Sequence, residues 1–158
     1  MAEPFADRII RNIPQAGELY HRLILLVAPA GGGKTLALQD VNKRKAAPLV
    51  NVNLELARRM LDLTIRQRAL QLPRILSEIV SESAIDVILL DNIEILFDIS
   101  LKQDPLRLLQ GLARNKTVVA AWGGFIDGGA HMVYATPDHP EYRRYPLRDF
   151  LVVNGNRE

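Results

Sequence analysis

Residues 23–35, LILLVAPAGGGKT, decide the fold. Leu23–Val27 is an unbroken apolar run, the pattern of a strand buried on both faces of a parallel sheet. Three glycines and a lysine follow, and Lys34–Lys45 then reads as a helix that ends in a basic turn before Pro48. Strand, glycine loop and helix in that order are the setting in which G-x-x-x-x-G-K-[ST] forms a phosphate-binding loop. Successive backbone N–H groups in such a loop point inward, and the next helix adds its positive N-terminal end. Gly31, Gly32 and Gly33 supply the backbone freedom this needs. Lys34 is placed to reach the β- and γ-phosphates, and Thr35 to ligate Mg²⁺ through its hydroxyl. Ala30 and Leu36 complete the expected nucleotide-binding set. One position departs from the pattern: Ala28 stands where the first glycine is usual. A methyl group is tolerated at a strand end if φ is negative, so a working loop is expected.

A second stretch, DVILLDNIEIL at residues 86–96, reads as a buried strand ending in an acid. Asp91 is the expected partner of Thr35 in holding Mg²⁺. A glutamate commonly follows that aspartate to activate water; here the residue is Asn92, whose amide can hold a water but accepts a proton poorly. Glu94 lies three residues past Asp91. It either swings towards the terminal phosphate or is a solvated carboxylate, and the sequence leaves both open. Lys34, Asp91, Asn92 and Glu94 form the candidate catalytic set.

The remaining chain alternates in the same way. Helices are expected over residues 6–20, 54–62, 65–83 and 104–113. Pro14 and Gly17 interrupt the first, Pro73 breaks or kinks the third, and Asp104 caps the last ahead of Pro105. Strands are expected over 49–52, 87–90 and Thr117–Trp122. Residues 132–135 are a candidate fifth strand and 150–153 a last one. Such alternation implies an α/β fold with a mostly parallel sheet and helices on both faces. The chain reads as a single domain over 1–158, with a helical N-terminal segment over 1–22 and a frayed polar tail over 154–158.

Composition bounds the rest. The 158 residues suit one domain. There is no cysteine, which excludes disulfides and thiol chemistry and suits the cytoplasm. His21, His131 and His139 have no metal-ligand spacing. No apolar run approaches a membrane span, and residues 1–10 lack a signal-peptide pattern. Twenty basic against 18 acidic residues leave a net charge of only +2, a weak signal for nucleic acid. Arg114, Arg143 and Arg144 are candidates for a charge acting across a subunit boundary, although most arginines are simply solvated. HPEYRRYP at 139–146 interleaves aromatic and basic residues, which can stack bases and touch phosphates or merely face the domain surface. After Trp122 come Gly123 and Gly124, so no polar phosphate sensor is visible there.

With the loop, LLDNIEILFD, TVVAAW and YATPDHPEYRRY in view, the chain resembles over nearly its full length the BrxF family, the small P-loop proteins of type 3 BREX phage-defence systems. The resemblance implies a bacterial cytoplasmic protein acting with other defence components, in systems that methylate host DNA and block unmodified phage. It implies an AAA-like P-loop NTPase core with strand order 5-1-4-3-2 and no lid domain. Gly31, Gly32, Gly33, Lys34 and Thr35 map onto the loop, and Asp91 onto the Walker B position. The expected function is an ATP-binding, Mg²⁺-dependent and ATP-hydrolysing regulatory subunit. Its expected partners are further copies of itself and other defence proteins, with DNA left open and no membrane. A nucleotide-gated module without hydrolysis, or a small-molecule kinase, are the alternatives.

Overall fold

A computed structural model describes residues 4–155. The elements follow in the order α1 (Phe5–Ala16), β1 (Leu23–Val27), α2 (Lys34–Lys45), β2 (Leu49–Asn51), α3 (Val52–Arg59), α4 (Ile65–Ser81), β3 (Val87–Asp91), α5 (Pro105–Leu112), β4 (Thr117–Trp122), β5 (Phe125–Asp127), β6 (His131–Tyr134), β7 (Arg143–Pro146) and β8 (Leu151–Asn154). Two short 3₁₀ turns, Glu94–Phe97 and Ile99–Leu101, join β3 to α5.

β1 lies inside a five-stranded parallel sheet of order β2-β3-β4-β1-β8. All five of its side chains are fully buried, because helices cover both faces. Strand alternation divides them. Leu23, Leu25 and Val27 enter the core beneath α3, α4 and α5, while Ile24 and Leu26 enter the core beneath α1 and α2. β3 and β4 divide in the same way, with Leu90 and Ala120 on one face and Leu89 and Val119 on the other.

Read from its β8 edge the sheet runs 8-1-4-3-2, so the expected 1-4-3-2 part holds and only the strand beside β1 differs from the expected order 5-1-4-3-2. The strand beside β1 is the eighth in the chain, pairing Leu25 with Val152. The candidate fifth strand is β6, and it belongs to a separate three-stranded antiparallel sheet with β5 and β7. Both neighbours of β6 are short strands that the apolar pattern does not announce. The small sheet is anchored at Trp122, the last residue of β4, which is fully buried and donates from its indole Nε1 to the Val133 carbonyl at 3.2 Å. Phe97, Tyr134 and Tyr145 close around that ring. Gly124 permits the return: a Cβ there would overlap the Val133 carbonyl oxygen.

Three further expectations are corrected. The first helix ends at Ala16 rather than residue 20, with Gly17 as its cap. The tail does not fray from 154, since Asn154 is the last residue of β8 and pairs with Val27; residues 156–158 lie outside the described residues. Pro73, expected to break or kink its helix, does not break it and sits inside α4. Its missing N–H leaves the Ala69 carbonyl without a helical donor, and the Gln103 side-chain amide supplies one at 2.9 Å.

Gly124→Ala is expected to destabilise the protein by about 3 kcal/mol, as forced overpacking does. Urea unfolding measures this, and wild-type stability would contradict the close approach of β4 to β6.

Candidate functional site

β1, β3 and β4 are parallel, so their C-terminal ends share one edge of the sheet. The glycine loop leaves β1 there, and Asp91 ends β3 there. β4 separates the two strands within the sheet, but the first turn of α2 reaches across it. The Thr35 hydroxyl donates to Asp91 Oδ2 at 2.7 Å. Asp91 is nearly buried, and its other oxygen accepts from the Asn92 backbone N–H at 2.9 Å.

The loop has the backbone that its glycines were expected to allow. Gly31 and Gly33 have φ of 77° and 89°, values disfavoured for residues with a Cβ. Gly32 has no room for one, since a Cβ would lie 2.9 Å from both the Ala28 methyl and the Pro29 carbonyl oxygen. Ala28 is absent from the residues with positive φ and is fully buried. Its methyl fits because Gly32 and Gly155 approach it without side chains. Gly33 is also the N-cap of α2 and offers no side chain to the first helical N–H groups. Those groups stay available to an anion, reinforced by the helix dipole.

Lys34 turns back over the loop and donates to the carbonyls of Ala28 and Pro29, both at 2.9 Å. Partial burial pulls its ammonium below the usual lysine range, and Glu94 and Asp91 act in the opposite direction. The lysine lines one groove with both carboxylates.

Glu94 is placed on the same groove as the loop. The chain turns sharply after Asp91, with Asn92 at φ 54°, a conformation asparagine tolerates well. The 3₁₀ turn then begins at Glu94. Its carboxylate stands over the end of β4, where a Cβ on Gly123 would lie 3.5 Å from Glu94 Oε2. Glu94 thus shares one groove of about 570 Å³ with Ala30, Gly31, Gly33, Lys34, Thr35, Leu36, Asp91 and Asn92. That volume is within the range of small-molecule sites. Leu36 is 72% exposed at its mouth. Nearby, Tyr134 stacks on Phe97 with ring centroids 3.6 Å apart. Burial, with Glu141 and Glu94 acting the same way, pushes its phenol up to about 12.

The structure adds Asn53 to the site. It is the second residue of α3, whose N-cap Asn51 pairs with Asp91 across the β2–β3 ladder. Asn53 accepts at its side-chain oxygen from the Ile95 N–H at 3.0 Å, and its own N–H donates to the Asn92 carbonyl at 3.0 Å. Both ends of the turn carrying Asn92 and Glu94 are thereby fixed. The only trace in the sequence is an Asn-x-Asn pair at the junction of strand and helix.

None of the three candidate arginines lines the groove. Arg114 precedes β4, at the opposite edge of the sheet, and lies over the Tyr20 ring at 5.0 Å. Arg143 donates to the Gln103 carbonyl at 3.1 Å, and Arg144 pairs with Asp127 at 2.7 Å.

The residues fit Mg²⁺ in its usual mode. Thr35 and Asp91 offer adjacent oxygens, the donor types for an ion that keeps water and substrate phosphates in its shell. No family model, curated protein or solved structure matches the chain. Among the described residues, no helix is long and apolar enough to cross a membrane.

Asn53→Ala strips the acceptor from the Ile95 N–H. It is expected to cost about 1–3 kcal/mol, the range for a buried donor left unpaired. Unchanged unfolding free energy would show that the turn is held by other contacts.

Proposed function

We propose that the groove binds a nucleoside triphosphate, expected to be ATP, together with Mg²⁺, and that the chain hydrolyses it. The observation that carries this reading is the Thr35–Asp91 hydrogen bond at 2.7 Å beneath a glycine loop whose lysine faces the same groove. Lys34 leaves the Ala28 and Pro29 carbonyls and donates to phosphate oxygens. The N–H groups at the start of α2 bind the same anion. Thr35 and Asp91 would hold Mg²⁺, which when bound would offset the negative charge of the phosphates. The Asn92 amide positions the attacking water. Glu94 accepts its proton as the water oxygen bonds to the terminal phosphorus and the bridging P–O bond breaks, leaving a nucleoside diphosphate and phosphate.

The resemblance to the BrxF family supports a regulatory place for this activity in a phage-defence complex, with further copies, other subunits and DNA as partners. The open mouth at Leu36 agrees with a groove that a partner closes. A second reading rests on Asn92. An amide directly after the metal-binding acid favours a switch that binds nucleotide and does not turn it over.

Phosphate release from Mg-ATP across a range of protein concentrations separates the two. Release is expected to rise faster than protein concentration and to vanish in Asp91→Ala. Lys34→Ala is expected to lower turnover by about 10²-fold or more, the scale seen when one transition-state donor is removed. Tight nucleotide binding without release at any concentration would favour the switch. Absence of binding would contradict the reading of the groove.

A further inference from the structure

The Gln103 amide that replaces the donor missing at Pro73 does more than satisfy Ala69. It also donates to the Leu101 carbonyl at 2.9 Å, tying the second 3₁₀ turn to the side of α4. Between them runs a groove of about 590 Å³ lined by Ile65, Arg66, Ala69, Leu70, Ser100 and Lys102. Its apolar members are held in water: Ile65 is 67% and Leu70 72% exposed, and Ile99, next to Ser100, is 61% exposed. Exposed apolar side chains scattered singly need no explanation, but a groove lined by them marks an interaction site. Arg66 and Lys102 flank it, and neither side chain has an ion-pair partner among the described residues.

We propose that this groove receives an acidic amphipathic segment of a partner protein. Its apolar side chains would cover Ile65, Ala69 and Leu70, and its carboxylates would pair with Arg66 and Lys102. Charge complementarity selects that occupant: a basic segment meets two like charges, and nucleic acid leaves the apolar lining uncovered.

The far wall of the groove belongs to the segment that carries the candidate site. Asp91, Asn92 and Glu94 are at one end, Phe97 is buried against Trp122 and Tyr134 in the middle, and Ser100 and Lys102 are at the other. An occupant that fixes Ser100 and Lys102 therefore biases the turn bearing Glu94. This coupling rests on the nucleotide reading above; the docking does not.

The test titrates two blocked synthetic peptides into the full chain without nucleotide, followed by NMR. One carries leucines at helical spacing flanked by Asp and Glu; the other has every acid replaced by Lys. The acidic peptide is expected to bind saturably, shifting Ile65, Ala69 and Leu70, and at least tenfold more tightly than the basic one. The surface double variant Arg66→Glu, Lys102→Glu is expected to reverse the preference, and Leu70→Ser to weaken acidic binding at least tenfold. No saturable acidic binding, or a preference unchanged by the double variant, would overturn the docking. So would a DNA duplex that shifts these residues where the acidic peptide does not. Saturating acidic peptide is then expected to raise Mg-ATP turnover several-fold in the wild type and not in the double variant. Binding without that rise would overturn the coupling alone. Absence of both nucleotide binding and turnover would remove the nucleotide reading and the coupling with it, while the peptide titration still decides the docking.

Discussion

The hydrogen bond from Thr35 to Asp91 is the contact on which the site depends. It joins two parts of the chain that the sheet keeps apart, since β4 lies between β1 and β3. It exists only because the glycine loop delivers α2 over the sheet edge at the level where Asp91 ends its strand. Three constraints have to agree for that. β1 must be straight and buried, the loop must take positive φ at Gly31 and Gly33, and α2 must begin at Lys34. The departure at Ala28 fits because Gly32 and Gly155 leave space for its methyl.

Around that contact the charges are arranged without a carboxylate cage. Lys34 lies on loop carbonyls and shares its groove with Asp91 and Glu94. An incoming phosphate would exchange those carbonyls for charged acceptors, which form stronger bonds. Glu94 gains its position indirectly. The left-handed turn at Asn92 starts the 3₁₀ turn, and Asn53 fixes it from α3. The position after Asp91 thus has a backbone role that a Cβ-branched residue would fill poorly.

Much of the framework was legible because its signals are local. Leu23–Val27, Lys34–Lys45 and Thr117–Trp122 form with the boundaries their apolar runs and loop glycines indicate. The small sheet was not legible. β5 and β7 are short and partly exposed, and they form through pairing with β6 and packing on Trp122 rather than through their own pattern. For that reason only the edge of the strand order differs: β6 joins the small sheet, and β8 takes the place beside β1. The continuity of α4 at Pro73 is not legible because its compensating donor, Gln103, is distant in sequence. The candidate site was legible in its loop and in Asp91. Asn53 was hidden for the same reason as Gln103, since its partners are set by topology. The arginines could be named but not located, because an arginine's sequence context does not say which carbonyl or carboxylate it meets.

The central claim is that Thr35 and Asp91 form a metal-dependent nucleotide site. The most direct test is the affinity for ATP measured calorimetrically with Mg²⁺ and again with a chelator, for the wild type and for Asp91→Asn. The account predicts that Mg²⁺ tightens binding at least about tenfold in the wild type, a difference of about 1.4 kcal/mol, and that Asp91→Asn abolishes the gain. Equal affinity with and without Mg²⁺, or a gain that survives the substitution, would contradict it.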